Sequence, residues 1–376
     1  MKTRVLIVDD SALYRQMIKN VLKGLEDVEI VGLATTGKDA IERIPELKPD
    51  LLTLDVQMPQ MNGLEVLSEI NRLRLPVKAI MLSSLTSHGA QVTMDALLAG
   101  AFDFIQKPNS ANPDVNRNQL GELLTEKIRA FQLSRKTTMP NRRSPDTNSS
   151  IVTPSLRTES LADSITPHSG MSSRLTSSGK RIDAVVIGTS TGGPVALREV
   201  IPKLPKALNV PVFVVQHMPP KYTQSLAERL AESSQVSIHE AAEGMRVEHG
   251  HVYLAQGGLH MGLDTRHFRT FITTSNAPPE HNCRPAVDYT LRAVGEIYGG
   301  NVLSVILTGM GRDGTEGCRL IKQLGGMVLA QHPSGCTVYG MPKSVVEENL
   351  ADRVVPIEKM AAWIVRLVEK GQSTPP

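Results

Sequence analysis

Short apolar runs alternate with amphipathic segments along most of the chain. Before residue 135 the apolar runs predict five strands, at 5–8, 28–34, 51–54, 77–82 and 102–105. A helix is predicted between the first two, because these apolar residues fall on one helical face: Leu13, Tyr14, Met17, Ile18, Val21, Leu22 and Leu25. Near-continuous apolar strands separated by helices are typical of a parallel sheet covered on both faces. We therefore predict an α/β fold with a five-stranded parallel sheet for this part.

The same alternation returns after residue 181. Apolar runs at 184–187, 212–215 and 302–307 predict three more buried strands, and the first is followed by a helical pattern. Residues 264–274 alternate between polar and apolar positions, and 246–262 resembles a β-hairpin. These patterns predict a second α/β domain, doubly wound and mostly parallel, that carries a β-hairpin.

Residues 135–179 have the composition of a tether between the two blocks. Eighteen of these 45 residues are Ser or Thr, none is aromatic, and the apolar positions have no period. Such a segment cannot bury enough surface to offset the entropy lost on ordering. We divide the chain into a first domain at 1–132, a flexible linker at 133–181 and a second domain at 182–372. A docking segment within the linker is the alternative.

Composition narrows the class of protein. The net charge is +3, from 41 Lys and Arg against 38 Asp and Glu, and the linker accounts for the excess. Two nearly neutral domains argue against a protein built around nucleic-acid phosphates. The three cysteines lack C-x-x-C spacing, which excludes a disulfide framework and a strong zinc signature. Since neither a signal peptide nor a membrane span is visible, we expect a cytoplasmic protein without membrane insertion.

Polar side chains follow the predicted strands of the first domain. Asp9 and Asp10 end the first strand, Asp55 the third, Ser83 the fourth and Lys107 the fifth. Taken singly, each has a simple structural explanation, such as a helix cap or a solvated charge. Together they would meet at one edge of a parallel sheet, where clustered carboxylates need a neutralising cation. Their oxygens suit Mg²⁺, so we predict a magnesium site formed by the three aspartates.

The loop after the strand at 184–187 has the shape of a nucleophile elbow. Glycines at 188 and 192 flank Ser190 at a strand-to-helix turn, although the loop alone is also compatible with an ordinary turn. It lacks the G-x-G-x-x-G and G-K-[ST] patterns of phosphate-binding loops. His217 and Asp313 follow the two other apolar strands and would reach the same edge. The three would supply nucleophile, general base and imidazole orienter, in a chain order unlike that of the α/β-hydrolases.

Residues 1 to about 130 resemble a two-component receiver domain. The resemblance rests on four motifs: VLIVDDS (5–11), LLTLDVQMPQMNG (51–63), MLSS (81–84) and FDFIQKP (102–108). It implies a flavodoxin-like fold and transfer of a phosphoryl group from a sensor histidine kinase to Asp55, with Asp9 and Asp10 helping to hold Mg²⁺. It further implies three phosphoryl-sensing side chains: Ser83, Phe104 and Lys107.

Residues 182 to about 370 resemble the C-terminal domain of the chemotaxis protein-glutamate methylesterases. The motifs are GTSTGGP (188–194), VVQHMPP (214–220), CRPAVD (283–288), LTGMGRDG (307–314) and YGMP (339–342). The resemblance implies hydrolysis of glutamate γ-methyl esters on chemoreceptors, with release of methanol, and deamidation of receptor glutamines. Ser190, His217 and Asp313 would be catalytic, without a cofactor in this domain, and the backbone amides of Thr191 and Met310 would bind the oxyanion.

The architecture also suggests regulation. An unphosphorylated receiver would pack over the Ser190 edge, and phosphorylation of Asp55 would loosen that interface. We expect a monomer whose partners are chemoreceptors and the kinase of the pathway. The alternatives are a transcriptional response regulator with a DNA-binding second domain, and an inactive adaptor. The near-neutral charge argues against the first, and a complete Ser–His–Asp set argues against the second.

Overall fold

The computed structural model describes residues 2–84, 86–138 and 180–372. Each predicted domain is built on its own parallel sheet. Most of the predicted linker, residues 139–179, lies outside the described residues, so its proposed role as a tether stays a prediction.

The first domain alternates strands and helices from the N-terminus. Its sheet has the order β2-β1-β3-β4-β5, and every neighbouring pair is parallel. All five predicted strands are confirmed, with small shifts at their ends. The elements are β1 (Thr3–Val8), α1 (Ala12–Lys23), β2 (Val28–Ala34), α2 (Gly37–Leu47), β3 (Leu51–Asp55), α3 (Gly63–Arg72), β4 (Lys78–Ser83), α4 (Ser87–Leu98), β5 (Asp103–Gln106) and α5 (Pro113–Thr138).

Local sequence explains where these helices begin and end. Ser11 caps α1 by accepting a hydrogen bond from the Tyr14 amide, and Asn62 forms a reciprocal capping box with Glu65 at the start of α3. The predicted apolar face of α1 is confirmed at Ile18 and Leu22, which are buried. Leu13, in the first turn of α1, is instead 67% exposed, so the predicted apolar face does not extend to the start of the helix.

The second domain has a seven-stranded sheet of order β14-β13-β12-β6-β7-β9-β8, in which every pair is parallel. Helices lie on both faces, as predicted. The elements are β6 (Ala184–Thr189), α6 (Gly193–Val200), β7 (Val212–Gln216), α7 (Tyr222–Glu232), β8 (Ser237–Glu240), β9 (His251–Leu254), β10 (His260–Arg266), β11 (Arg269–Ser275), α8 (Val287–Tyr298), β12 (Val302–Ile306), α9 (Thr315–Gln323), β13 (Met327–Gln331), α10 (Met341–Glu347), β14 (Arg353–Val355) and α11 (Ile357–Gln372).

The position predicted for the β-hairpin was wrong. The hairpin is formed by β10 and β11, which pair antiparallel from His260–Ser275 to Arg266–Arg269. Within the predicted range of 246–262, β9 is an interior strand of the parallel sheet, paired with both β7 and β8. The alternation predicted at 264–274 belongs to the true hairpin, since one of its faces packs against α8.

Candidate active site

Three aspartates and a lysine meet at the carboxyl edge of the first sheet. A carboxylate oxygen from each of Asp9, Asp10 and Asp55 lies within 4.8 Å of the other two. The Lys107 ammonium lies 2.8 Å from Asp9 Oδ2 and 2.7 Å from Asp55 Oδ2. Burial raises the pKa of Asp55 to about 6, although Lys107 opposes the shift. Of the five residues predicted at this edge, the structure brings these four together, and Ser83 is described below.

This cluster fits a divalent cation. Asp9 is fully buried, and its Oδ2 faces Lys107 as an ion partner without receiving an aligned hydrogen bond from the described residues. Asp10 is exposed and can reach the same point from solvent. Three carboxylates with an open side suit Mg²⁺, which keeps several waters and accepts one or two carboxylates plus phosphoryl oxygens.

The two other predicted phosphoryl-sensing residues make their contacts outside the aspartate cluster. The Ser83 hydroxyl donates to the Gly89 carbonyl at 3.2 Å and accepts a hydrogen bond of 2.7 Å from Thr93, both on α4. Phe104 is buried, with 6% of its surface exposed. The structure therefore connects the phospho-acceptor edge to α4 through Ser83.

Ser190 stands at the carboxyl end of β6, in the predicted strand-to-helix turn. Its amide donates to the Thr308 carbonyl at 3.0 Å, and the Gln216 side chain donates to its carbonyl at 3.0 Å. Gly192 has φ +80°, a conformation that favours glycine. A side chain at Gly309 would overlap Met341 and come within 2.9 Å of the Ser190 Cβ atom. Neighbouring strand ends thus hold the backbone around Ser190 firmly.

His217 and Asp313 are joined at the same edge. His217 Nε2 lies 2.7 Å from Asp313 Oδ2, and both side chains are almost completely buried. Asp313 also accepts hydrogen bonds of 2.7–2.9 Å from the backbone amides of Val287, Asp288 and Gly314. Burial favours a raised pKa for Asp313, but the donors, led by His217, hold the pKa below its ordinary value.

The remaining parts of the predicted site are the Ser190 hydroxyl and the backbone amides of Thr191 and Met310. Within the described ranges, no hydrogen bond joins the Ser190 hydroxyl to His217, a common situation in enzymes without bound substrate. In those same ranges, the backbone amides of Thr191 and Met310 donate to no protein acceptor. The sheet edge therefore offers two free amide donors beside Ser190, as an oxyanion site requires.

Sequence reasoning assigned no role to Cys283, which acts directly on His217. Burial lowers the pKa of His217, but interactions with Cys283 and Asp313 outweigh this effect and raise it. The CRPAVD motif was recognised without a function for its thiol. The sequence does place Cys283 shortly before Val287 and Asp288, whose amides donate to Asp313, and this position was the available signal for a role near the site.

The first domain covers this edge of the second. Thr191 Oγ1 donates to the Asp103 carboxylate at 2.5 Å, and Asp103 is also paired with Lys127 at 3.1 Å. Ser190 is only 9% exposed. A cleft of about 1270 Å³ between α1, α5 and the second domain reaches Met310. The residue next to the candidate nucleophile is therefore hydrogen-bonded to the receiver-like domain.

The fold and the two sheet edges define a class: a response regulator with an enzymatic output domain. Residues 5–115 match the model of the response regulator receiver domain, and residues 185–364 match that of the CheB methylesterase. The chain belongs to the CheB methylesterase family. The segment that a DNA-binding output domain would occupy thus matches an enzyme family instead.

Relatives match along the whole chain. Proteins named protein-glutamate methylesterase/protein-glutamine glutaminase are 40% identical in Desulfotalea psychrophila and 41% identical in Thermotoga maritima, and each match covers 97% of this chain and 98% of the relative. The crystal structure of the Thermotoga maritima CheB methylesterase catalytic domain is 46% identical, with a TM-score of 0.49, and the match covers 50% of this chain and 99% of that one. No helix in the described ranges has the length and apolarity needed to cross a bilayer.

Proposed function

We propose that the protein hydrolyses glutamate γ-methyl esters on chemoreceptors, releases methanol, and deamidates receptor glutamines, under control of phosphorylation at Asp55. The observation that carries the proposal is the buried hydrogen bond between His217 and Asp313, at the sheet edge where Ser190 and two free amides stand. The names of relatives that match 97% of the chain support the substrate class.

In this reaction the Ser190 hydroxyl attacks the ester carbonyl while His217 accepts its proton. Because Asp313 holds Nε2, the nitrogen that serves Ser190 is Nδ1, the reverse of the arrangement in the chymotrypsin-like triad. The amides of Thr191 and Met310 stabilise the negative oxygen of the tetrahedral intermediate. Methanol leaves with the proton from His217, and water then hydrolyses the acyl-enzyme by the same route. With a glutamine substrate, ammonia is the leaving group.

The receiver restrains this reaction by covering the site. Phosphorylation of Asp55 places new oxygens beside Lys107 and within reach of the Ser83 hydroxyl, which is now bonded to α4. A shift of Ser83 towards those oxygens would break its hydrogen bonds to Gly89 and Thr93. Since α4 packs against α6 and α7, the change reaches the domain interface.

Asp9, Asp10 and Asp55 would hold Mg²⁺ in the receiver. The ion, when bound, neutralises charge on the incoming phosphoryl group. The Asp55 carboxylate is the nucleophile for phosphoryl transfer, and Lys107 pairs with the charge that remains. The sensor histidine kinase of the pathway is the proposed donor.

Methanol release from methylated receptor membranes tests the proposal. The native chain and Ser190→Ala are compared with and without acetyl phosphate and Mg²⁺, with Ser237→Ala, an exposed residue of β8, as the matched control. We expect release that requires Ser190 and rises with the phosphodonor. Release that persists in Ser190→Ala would exclude the serine mechanism, and release independent of the phosphodonor would exclude the switch. No release from a chain that still accepts phosphate at Asp55 would exclude this substrate class.

A further inference from the structure

A second histidine–carboxylate pair lies directly behind Asp313. His281 Nε2 is 2.8 Å from Asp288 Oδ2, and the polar atoms of His281, Asp288 and Asp313 lie within 4.8 Å of one another. The Asp288 side chain is 2% exposed, whereas that of His281 is 35% exposed. The pair therefore connects the buried acid of the proposed triad to the protein surface.

Asp288 is bound on three sides. Its Oδ1 accepts a hydrogen bond of 2.7 Å from the Gly317 amide in the first turn of α9, and its own amide donates to Asp313 Oδ1 at 2.9 Å. The preceding amide, that of Val287, donates to Asp313 Oδ2. Both oxygens of Asp313 are thus held by the peptide units that Asp288 anchors.

A tight turn aims His281 at Asp288. His281 and Asn282 have φ values of +51° and +60°, a region that costs free energy for residues other than glycine. Backbone hydrogen bonds between Glu280 and Cys283, of 3.1 and 2.8 Å, close the turn. The same turn carries Cys283, the thiol that acts on His217.

Charge explains why a histidine occupies this position. Two buried carboxylates this close repel each other unless a proton or a nearby cation neutralises one of them. Burial is the largest influence on Asp288 and raises its pKa. The hydrogen bond from the Gly317 amide and the interaction with His281 lower this pKa, whereas the neighbouring charge of Asp313 raises it. Other ionisable groups interact with the pair from its surroundings: Arg292 and Cys318 with Asp288, and Glu316 with His281.

We propose that His281 and Asp288 are positioning residues of the esterase reaction: the imidazolium of His281 neutralises Asp288, so that Asp313 stays ionised, correctly oriented and bonded to His217 without an uncompensated charge behind it. The inference rests on the proposed Ser190–His217–Asp313 mechanism. The proposed role of His281 is electrostatic, so an uncharged hydrogen-bond donor at this position could not fulfil it.

The test is the pH profile of kcat/KM for methanol release by the full chain with acetyl phosphate and Mg²⁺. His281→Gln keeps an amide donor for Asp288 but removes the cation, which leaves one extra negative charge near His217. That charge favours the protonated imidazole, so the acid limb should move to higher pH by about one unit, the size expected from one nearby charge at an effective dielectric constant of about 20. Adding Asp288→Asn removes the charge and should return the limb to its native position.

His267→Gln, at the exposed hairpin turn, is the control and should not move the limb. A His281→Gln profile that superimposes on the native one, or a shift that Asp288→Asn does not reverse, would overturn the electrostatic role. Thermal unfolding of each variant identifies loss of activity that comes from misfolding. Release that survives Ser190→Ala would overturn the underlying mechanism and this inference together, whereas an inactive Ser190→Ala with an unmoved His281→Gln profile would overturn the inference alone.

Discussion

The ring of Phe104, on β5 of the receiver, lies 4.5 Å from the ring of Tyr222, the first residue of α7 in the esterase domain. Tyr222 is fully buried, and its hydroxyl lies 3.4 Å from the Ser84 carbonyl. Phe104, the predicted aromatic switch residue of the receiver, is therefore packed against the second domain. Any rotation of Phe104 must disturb α7, which follows the loop that carries His217.

Replacing Phe104 with leucine should raise esterase activity in the absence of a phosphodonor. Leucine keeps most of the apolar volume but removes the ring contact, which is worth about 0.5–1.5 kcal/mol for an aromatic pair. Loss of that energy would increase the open population by up to about tenfold. Methanol release without acetyl phosphate measures the effect.

Phe102→Leu is the matched control for this prediction. Phe102 is also buried in the receiver, but its ring packs edge-on against Phe131 at 5.4 Å, away from the esterase domain. It should lower the thermal stability of the receiver without raising basal activity. Equal activation by both variants would indicate that general loosening of the receiver, rather than the Phe104–Tyr222 contact, releases the enzyme.

The hydrogen bond between Thr191 and Asp103 should contribute measurably to inhibition. Thr191→Val removes the hydroxyl but keeps the backbone amide, and Asp103→Asn weakens the acceptor. A hydrogen bond to a charged group is worth about 1.5–3 kcal/mol, so each variant should increase basal methanol release by roughly tenfold or more. In a double-mutant cycle the combined variant should gain little over either single one. Fully additive increases would mean that the two residues act separately.

Removing the Met310 amide should lower turnover more than changing its side chain. Met310→Pro deletes the N–H, whereas Met310→Leu keeps it, and both remove the thioether from the domain interface. One oxyanion donor is typically worth about 10²–10³ in kcat. Phosphodonor-activated methanol release should therefore fall much further in the proline variant. Equal losses would exclude Met310 from the oxyanion site.

Cys283→Ala should move the acid limb of kcat/KM to lower pH. His217 must be neutral to accept the Ser190 proton, so activity rises as pH passes through the pKa of His217. Burial lowers this pKa and Cys283 contributes to raising it, so removal of the thiol should lower it. Cys336→Ala, a partly buried cysteine elsewhere in the domain, is the control. A Cys283→Ala limb that coincides with the native one would contradict a direct effect on His217.

The strand ends were predictable because parallel sheets leave strong signals. The strands that lead to the site residues are mainly apolar, and their carboxyl ends are marked by the change to polar residues at Asp9, Asp55, Gln216 and Thr308. Chain direction then places all those ends at one edge of each sheet. This logic located both the aspartate cluster and the edge shared by Ser190, His217 and Asp313 without any knowledge of side-chain positions.

The hairpin was misplaced because its turn lacks the usual residues. The bend between Arg266 and Arg269 is formed by His267 and Phe268, with φ values of +49° and +61°, where Asn-Gly or Asp-Gly would be expected. Glycines at 250 and 257–258, within the range predicted for the hairpin, lie instead in the loops on either side of β9.

Contacts between residues far apart in the chain could not be predicted from the sequence pattern in the same way. Asp103 was part of a recognised motif, yet its hydrogen bond to Thr191 depends on how two separate sheets meet. Asp288 was part of the CRPAVD motif, but the pattern does not reveal that His281 would turn back onto it. Periodicity reports burial along one element and carries no information on which buried polar groups face each other.

The position of Thr191 imposes two separate demands on one residue. Its amide, which has no acceptor among the described residues, is the proposed oxyanion donor, while its hydroxyl is hydrogen-bonded to the receiver, the domain proposed to suppress the reaction. Changes that tune regulation at this residue therefore risk the chemistry, and changes that improve the chemistry risk releasing the enzyme. A receiver exchanged from another response regulator would have to supply an acceptor where Asp103 stands, so the two domains are expected to diverge as a matched pair rather than as interchangeable modules.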